Sequence, residues 1–263
     1  MDFTEQSLRA ALGGKSFGAP LYFFRVTEST NFQALRIADE GAPEGTVVIA
    51  DSQTGGRGRM KREWFSPPAV NLYASLILRP GFPAALSSPL TIMAGVAVAR
   101  ALDYYCPRRV QLKWPNDVLV GNRKMSGILT EIKTCGRKVE FAVLGIGVNV
   151  NMKKEDFGPL LEQSATSLRE ETGRHISRLE VAVRIFDELG KYYHLLSKEG
   201  MAVIRELWLD YSGLAGKYVE ITFGGEISSG TVAGIDETGA LIIRPESGGE
   251  RRIIAGDVAV IER

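Results

Sequence analysis

Two cysteines, Cys106 and Cys135, and two histidines, His175 and His194, are all that 263 residues offer of the side chains that most often staple or ligate. They stand in no zinc-binding spacing and cannot build a disulfide framework, which argues against a structural zinc site and a cross-linked secreted scaffold. Both thiols are read as buried or partly buried, with no catalytic neighbourhood. An excess of one charge is lacking too: 32 Lys and Arg face 31 Asp and Glu, so no global field exists to hold nucleic acid or an anionic membrane. No apolar run reaches membrane-spanning length, and the start, MDFTEQSLRA, has neither the basic head nor the apolar core of a secretory signal. The reading is a cytoplasmic protein without nucleic-acid or membrane partners, in which local clusters do any anion binding.

With 44% apolar and 24% charged residues the chain can bury an ordinary core, enough for one large domain and a small one. Ser29-Thr30-Asn31 supplies capping residues before Phe32, Leu35 and Ala38 at helical spacing, closed by Gly41. Strands are expected at 46–50 and at 71–79, where Leu72, Ala74, Leu76 and Leu78 alternate, and a helix opens at Ser88-Pro89 and runs to about Tyr105. Further strands at 110–112, 118–120, 128–132 and 141–150 are joined mainly by short turns that favour antiparallel pairing. Residues 153–177 read as polar and irregular; helices follow at 179–196 and 202–211. Composition changes at Ser212-Gly213, beyond which strands at 218–223, 229–235, 240–244 and 252–261 suggest a small barrel. The domains are therefore expected at 1–212 and 213–263.

The chemistry concentrates in two places. Thr54-Gly55-Gly56-Arg57-Gly58-Arg59 follows an apolar strand and joins backbone freedom to two guanidinium forks, as an anion-handling loop does. Lys113-Trp114-Pro115-Asn116-Asp117 is followed by a short apolar run, a Gly121-Asn122 turn and Arg123-Lys124-Met125-Ser126-Gly127. Each piece alone can be a surface turn, core packing or a solvated hairpin tip. Together, two cationic clusters and one carboxylate near strand ends suggest a site that receives anions and performs proton transfer or metal binding.

These residues closely resemble the bacterial biotin protein ligases, which activate biotin as biotinyl-5'-adenylate and transfer it to one lysine of a biotin carboxyl carrier protein. The resemblance rests on Ser29-Thr30-Asn31, QTGGRGRMKREW at 53–64, KWPND at 113–117, RKMSGIL at 123–129 and GIGVNVN at 145–151, and runs from about Leu21 to the C-terminus. It implies an α+β fold with a mixed, mostly antiparallel sheet flanked by helices, like a class II synthetase, and a C-terminal SH3-like barrel. Only twenty residues precede Leu21, too few for the winged helix-turn-helix of the repressor members, so the chain resembles the monofunctional type. Where the family commonly has a glycine between its second and third arginines, this chain has Met60-Lys61. A side chain at Lys61 enters positive φ less cheaply, so the late loop is expected to take another path.

The resemblance assigns Arg57, Lys113, Asp117 and Lys124 to catalysis. Biotin is expected at Ser29, Thr30, Asn31, Gln53, Gly56, Arg57, Arg59, Lys124 and Gly127; ATP and the adenylate at Arg57, Arg59, Trp64, Lys113 and Asn149. The hydroxyls of Ser29 and Thr30 can equally cap a helix, and Trp64 and Asn149 can equally be structural. Asp117 is either the base that deprotonates the carrier lysine or a group that aligns its ammonium. ATP and biotin are the substrates, Mg²⁺ would neutralise the departing pyrophosphate, and no protein metal ligands are legible. The carrier belongs to acetyl-CoA carboxylase or a related biotin-dependent carboxylase. Alternatives are a lipoate or octanoyl transferase of the same fold, a non-catalytic biotin sensor and a DNA-binding repressor; monomer and homodimer both stay open.

Overall fold

The computed structural model describes residues 3–81, 88–136 and 138–261; the outermost residues of both expected domains, 1–2 and 262–263, lie outside these. Seven strands make one sheet: β1 (Leu21–Thr27), β2 (Val47–Gln53), β3 (Leu72–Leu78), β4 (Val110–Lys113), β5 (Asp117–Val120), β6 (Arg123–Cys135) and β7 (Lys138–Val148). Their order is β1-β2-β3-β7-β6-β5-β4, with β1 and β2 parallel and every other pair antiparallel. The mixed, mostly antiparallel sheet is thus as expected, and the short links from β4 to β7 pair their strands as the turn chemistry predicts.

The alternation read in β3 is real but hides a second buried face. Leu72, Ala74, Leu76 and Leu78 enter the main core, yet all seven residues of the strand are buried. On the other side Ile77 joins Val48, Phe141 and Val143 beneath helix α2 (Thr30–Asp39), which contributes Ala34, Ile37 and Ala38. The main-core face is covered by α3 (Ser88–Asp103), α5 (Arg178–Glu199) and α6 (Ala202–Ser212). Helix α3 is buried at Leu90, Ile92, Met93, Val96, Val98 and Leu102 alike, because it lies between the sheet and the outer helices and only its ends, as at Ser88 and Arg100, reach solvent. At roughly 1.5–3 kcal/mol for each large apolar side chain buried, this layer is a principal source of stability. No described helix is long and apolar enough to cross a membrane.

Two elements went unread in the sequence. Helix α1 (Glu5–Leu12) is closed by a reciprocal cap between Thr4 and Ser7 and buries Leu8 and Leu12 completely. Strand β1 carries an irregular burial pattern because it lies at the sheet edge. The segment read as irregular holds a 3-10 turn at Lys154–Phe157 and a short helix, α4 (Leu168–Thr172).

Beyond Ser212, β8 (Tyr218–Phe223), β9 (Glu226–Ile235), β10 (Leu241–Arg244), β11 (Arg251–Ile253) and β12 (Asp257–Val260) form an antiparallel sheet in the order β11-β10-β9-β8-β12. The single strand expected at 252–261 is two, broken at residues 254–256. That break shapes the sheet. Its two edge strands are joined by three residues, which span at most about 15 Å, whereas edge strands of a flat five-stranded sheet lie about 19 Å apart. The sheet therefore curls toward itself.

Candidate functional site

Strand register puts the site on the α2 face of the large sheet. Tyr73 lies opposite Gly147, which lies opposite Gly127; Ser75 lies opposite Gly145, which lies opposite Leu129. Directly paired residues share a face, so a patch without side chains runs across the middle of the sheet. Two segments settle into it. A Cβ at Gly145 would stand 2.1 Å from Asn31 Oδ1, and one at Gly147 would stand 2.4 Å from Trp64 Cε2. The GIGV glycines are needed because the start of α2 and the Trp64 indole occupy the space of their missing side chains.

The glycine-rich loop is a hydrogen-bonded hairpin. Thr54 and Gly55 donate backbone N–H groups to Thr27 and Glu28, Trp64 donates to Gly56, and Gly58 donates to Arg62 at 2.8 Å. Gly56 is required for close approach, since a Cβ there would lie 2.3 Å from the Trp64 carbonyl oxygen. Left-handed backbone falls instead at Met60 (φ 55°) and Lys61 (φ 60°). Lys61 thus does enter positive φ, and the hairpin tip holds its side chain there at the expected extra cost, typically on the order of 1–2 kcal/mol.

KWPND forms the turn between β4 and β5. Lys113 and Asp117 face each other across the ladder, so Trp114, Pro115 and Asn116 are the connection. Trp114 is buried and donates Nε1–H to Gly239 O at 3.0 Å, which makes it a packing residue tied to the C-terminal sheet. Asn116 Nδ2 donates to Ile128 O at 2.9 Å, and its Oδ1 accepts from Arg59 Nη1 at 3.1 Å.

All but one of the residues assigned from the sequence line a single cleft of about 500 Å³. Gly56 is the exception, buried at the base of the loop. At one end is an uncharged polar floor. Ser29 stands at the N-cap of α2 but makes no cap hydrogen bond; Gln53 Oε1 caps the helix from outside, accepting from the Thr30 backbone N–H at 2.8 Å. Thr30, Ser75 and buried Asn31 continue the chain, with Ser75 Oγ 2.8 Å from Thr30 Oγ1 and 2.6 Å from Asn31 Oδ1. Asn31 Nδ2 then donates to Glu131 Oε2 at 2.9 Å, and Glu131 Oε1 pairs with Arg57 Nη2 at 3.1 Å.

At the other end Lys124 Nζ lies 2.7 Å from Asp117 Oδ1 and 5.4 Å from the Trp64 ring centroid. The Asp117 contact is an ion pair without aligned hydrogen-bond geometry. Thus two of the four expected catalytic groups neutralise each other, and Arg57 is held by Glu131. Lys113 lines the cleft with no ion-pair partner among the described residues. Burial pushes the Arg59 guanidinium below its ordinary pKa, and the nearby Asp117 and Asp257 carboxylates pull it back. Asn149 also lines the cleft, but its amide donates to Thr166 O at 3.1 Å, in keeping with the structural role left open for it.

Sequence reasoning missed Ser75, Asn116 and Glu131 as site groups, although Glu131 is the one carboxylate in the apolar run 128–132. It also missed the apolar wall of Phe157, Leu161 and Ala165, which comes from the segment read as irregular, and Asp257, which reaches in from the C-terminal sheet to pair with Arg62 at 2.7 Å. The thiols lie away from the cleft lining. Cys106 is buried, and burial pushes it up to about 11; Cys135 is exposed, contrary to expectation, because the end of β6 runs out into solvent. Among the described residues no group of three or more His, Cys, Asp or Glu side chains could hold a metal ion.

Residues 23–149 match the Biotin/lipoate A/B protein ligase family, and residues 215–260 match the Biotin protein ligase C terminal domain. The chain is 36% identical over 256 residues to the bifunctional ligase/repressor BirA of Bacillus spizizenii, covering 97% of this chain and 78% of that one. It is 36% identical over 227 residues to the biotin acetyl-CoA-carboxylase ligase of Paracoccus denitrificans, covering 84% of this chain and 93% of the relative. The fold superposes on the biotin protein ligase of Aquifex aeolicus in complex with biotin and ATP with a TM-score of 0.77 and 28% identity, covering 92% of this chain and 99% of that one.

Proposed function

The chain belongs to the biotin/lipoate A/B protein ligase family, and from that membership we propose how its cleft carries out the reaction of a biotin protein ligase. It is an ATP-dependent ligase that joins biotin to a biotin-carrier protein. The lipoate and octanoyl alternatives are not favoured, since the relatives named here are biotin ligases. The observation that carries the site assignment is one cleft with an uncharged polar floor at one end and, beyond it, the cationic side chains of Arg57, Arg59, Arg62, Lys113 and Lys124.

A ureido ring needs donors and acceptors at the end of an otherwise apolar slot, which Ser29, Thr30, Asn31 and Gln53 provide. The biotin carboxylate then points toward Arg57 and Lys124. Attack of that carboxylate on the α-phosphate of ATP brings two anions together, forms the acyl–phosphate bond and expels pyrophosphate. Cations fixed in advance lower that electrostatic barrier. We assign the task to Arg57, Lys113 and Lys124, with Arg59 closing the loop over the mixed anhydride and Trp64 covering its nucleotide side. Substrate carboxylate and phosphate would exchange for Glu131 and Asp117 as partners of Arg57 and Lys124. Asp117, once released, faces the amine that attacks the acyl carbon as AMP leaves. Mg²⁺, when bound with the triphosphate, would supply charge neutralisation of the departing pyrophosphate.

We further propose that residues 213–263 complete the enzyme, contributing Asp257 to the cleft wall, that the carrier belongs to a biotin-dependent carboxylase, and that the protein works in the cytoplasm. ATP–pyrophosphate exchange tests the substrate reading. Exchange should require biotin and resist excess lipoate; lipoate-dependent exchange of equal rate would refute it.

A further inference from the structure

Glu171, in α4, carries a side chain only 2% exposed, and three groups close on it: Arg109 Nη2 at Oε2, Arg123 Nη2 at 2.6 Å from Oε1, and Thr166 Oγ1 donating to Oε1 at 2.6 Å. Burying a carboxylate among guanidiniums returns little net stability, because desolvation offsets the attraction, so its value lies in the geometry it imposes. That geometry converges on Lys124. Arg123 is its chain neighbour. On its other side, the Lys124 N–H donates to Ser164 O at 2.8 Å and its carbonyl accepts from the Thr166 N–H at 3.0 Å. The carboxylate therefore ties the side chain beside Lys124 to the segment that grips the Lys124 backbone. Neither arginine lines the cleft.

We propose that Glu171 is a positioning residue for Lys124, holding the start of β6 so that the ammonium can leave Asp117 and meet the substrate carboxylate. This rests on the assignment of Lys124 above. A lysine has four rotatable side-chain bonds and reaches its target accurately only if its backbone is held.

A double-mutant cycle read by biotin-dependent ATP–pyrophosphate exchange tests it. Glu171→Gln should raise KM for biotin about tenfold while KM for ATP moves much less, and should add less than about twofold once Lys124 is alanine, as coupled neighbours do. Thermal unfolding reports whether the variant folds; should it not, Arg123→Gln, which keeps the Arg109–Glu171 pair, enters the same cycle with the same expected result. A folded Glu171→Gln or Arg123→Gln with unchanged KM for biotin, or an effect that multiplies in full with Lys124→Ala, overturns the positioning role. If Lys124→Ala alone leaves exchange intact, the Lys124 assignment fails first and the inference falls with it.

Discussion

Asp117 Oδ1 lies 2.7 Å from Lys124 Nζ, with its side chain about a quarter exposed. A carrier lysine has an ordinary pKa of about 10.4 and must lose a proton before attack. Asp117→Asn should therefore transfer preformed biotinyl-adenylate slowly, by ~10²-fold or more, with a smaller effect on adenylate formation. Single-turnover transfer from isolated adenylate checks this; equal loss in both half-reactions would give Asp117 a shared electrostatic role instead. At this scale much of the site was legible, because a reaction between anions demands cations and arginines beside glycines are conspicuous. Glu131 and Ser75 were not legible, since a lone carboxylate or hydroxyl in an apolar strand reads as an ordinary position until register shows which face it shares. Gly56, expected at biotin, is the one assigned residue that the structure sets off the cleft lining, because a sequence shows a glycine's freedom but not the carbonyl oxygen packed against it.

Among the elements, the bare patch on β6 and β7 makes a specific demand. Gly147→Ala would drive a methyl group into the Trp64 indole, and because Trp64 rides on a loop the ring should move before the sheet does. KM for ATP should rise about tenfold, with a shifted tryptophan emission and an unchanged unfolding temperature; unchanged KM and emission would show that the indole is not held by this patch. The turn from Asp236 to Gly239 supports the same region from the other sheet. Asp236 Oδ1 accepts from Thr238 and Ala240, Oδ2 accepts from Arg252 Nε at 2.5 Å, and Gly239 O receives Trp114. Burial pushes the Asp236 carboxyl up, but the hydrogen bonds from Thr238, Arg252 and Ala240 outweigh it and hold it below its ordinary range. A depressed folded pKa stabilises the fold fully above the unfolded value, near pH 4, and this is lost as pH falls through the folded value. Melting temperature should fall with pH in that acid window, less steeply in Asp236→Asn; identical slopes would exclude Asp236. Helix and strand periodicity announced most elements, whereas α1 escaped because only Leu8 and Leu12 mark its buried face.

For the molecule as a whole, the two sheets are not separate bodies. Val219, Ile221, Val232, Leu241, Ile243 and Val258 from the C-terminal sheet belong to the same core as Leu112, Trp114 and Trp208, and α6 packs against both β4 and β9. Arg62–Asp257 and Trp114–Gly239 connect the glycine-rich loop and the KWPND turn to that sheet directly. A chain ending near Ser212 should expose this apolar surface, unfold at lower temperature and lose turnover; a truncated chain with full ligase turnover and unchanged melting would detach the C-terminal sheet from catalysis. The sequence could count the two units from composition and turn spacing. It could not reveal their shared core, because an apolar strand residue does not say which sheet or helix it will meet. The central claim, that this one cleft activates biotin and delivers it to a carrier, is tested most directly by intact-mass spectrometry of a biotin carboxyl carrier domain incubated with the protein, biotin and Mg-ATP. The account predicts one biotinyl adduct on a single lysine, dependent on ATP and undiminished by excess lipoate; an unmodified carrier, or a lipoyl adduct in its place, would contradict it.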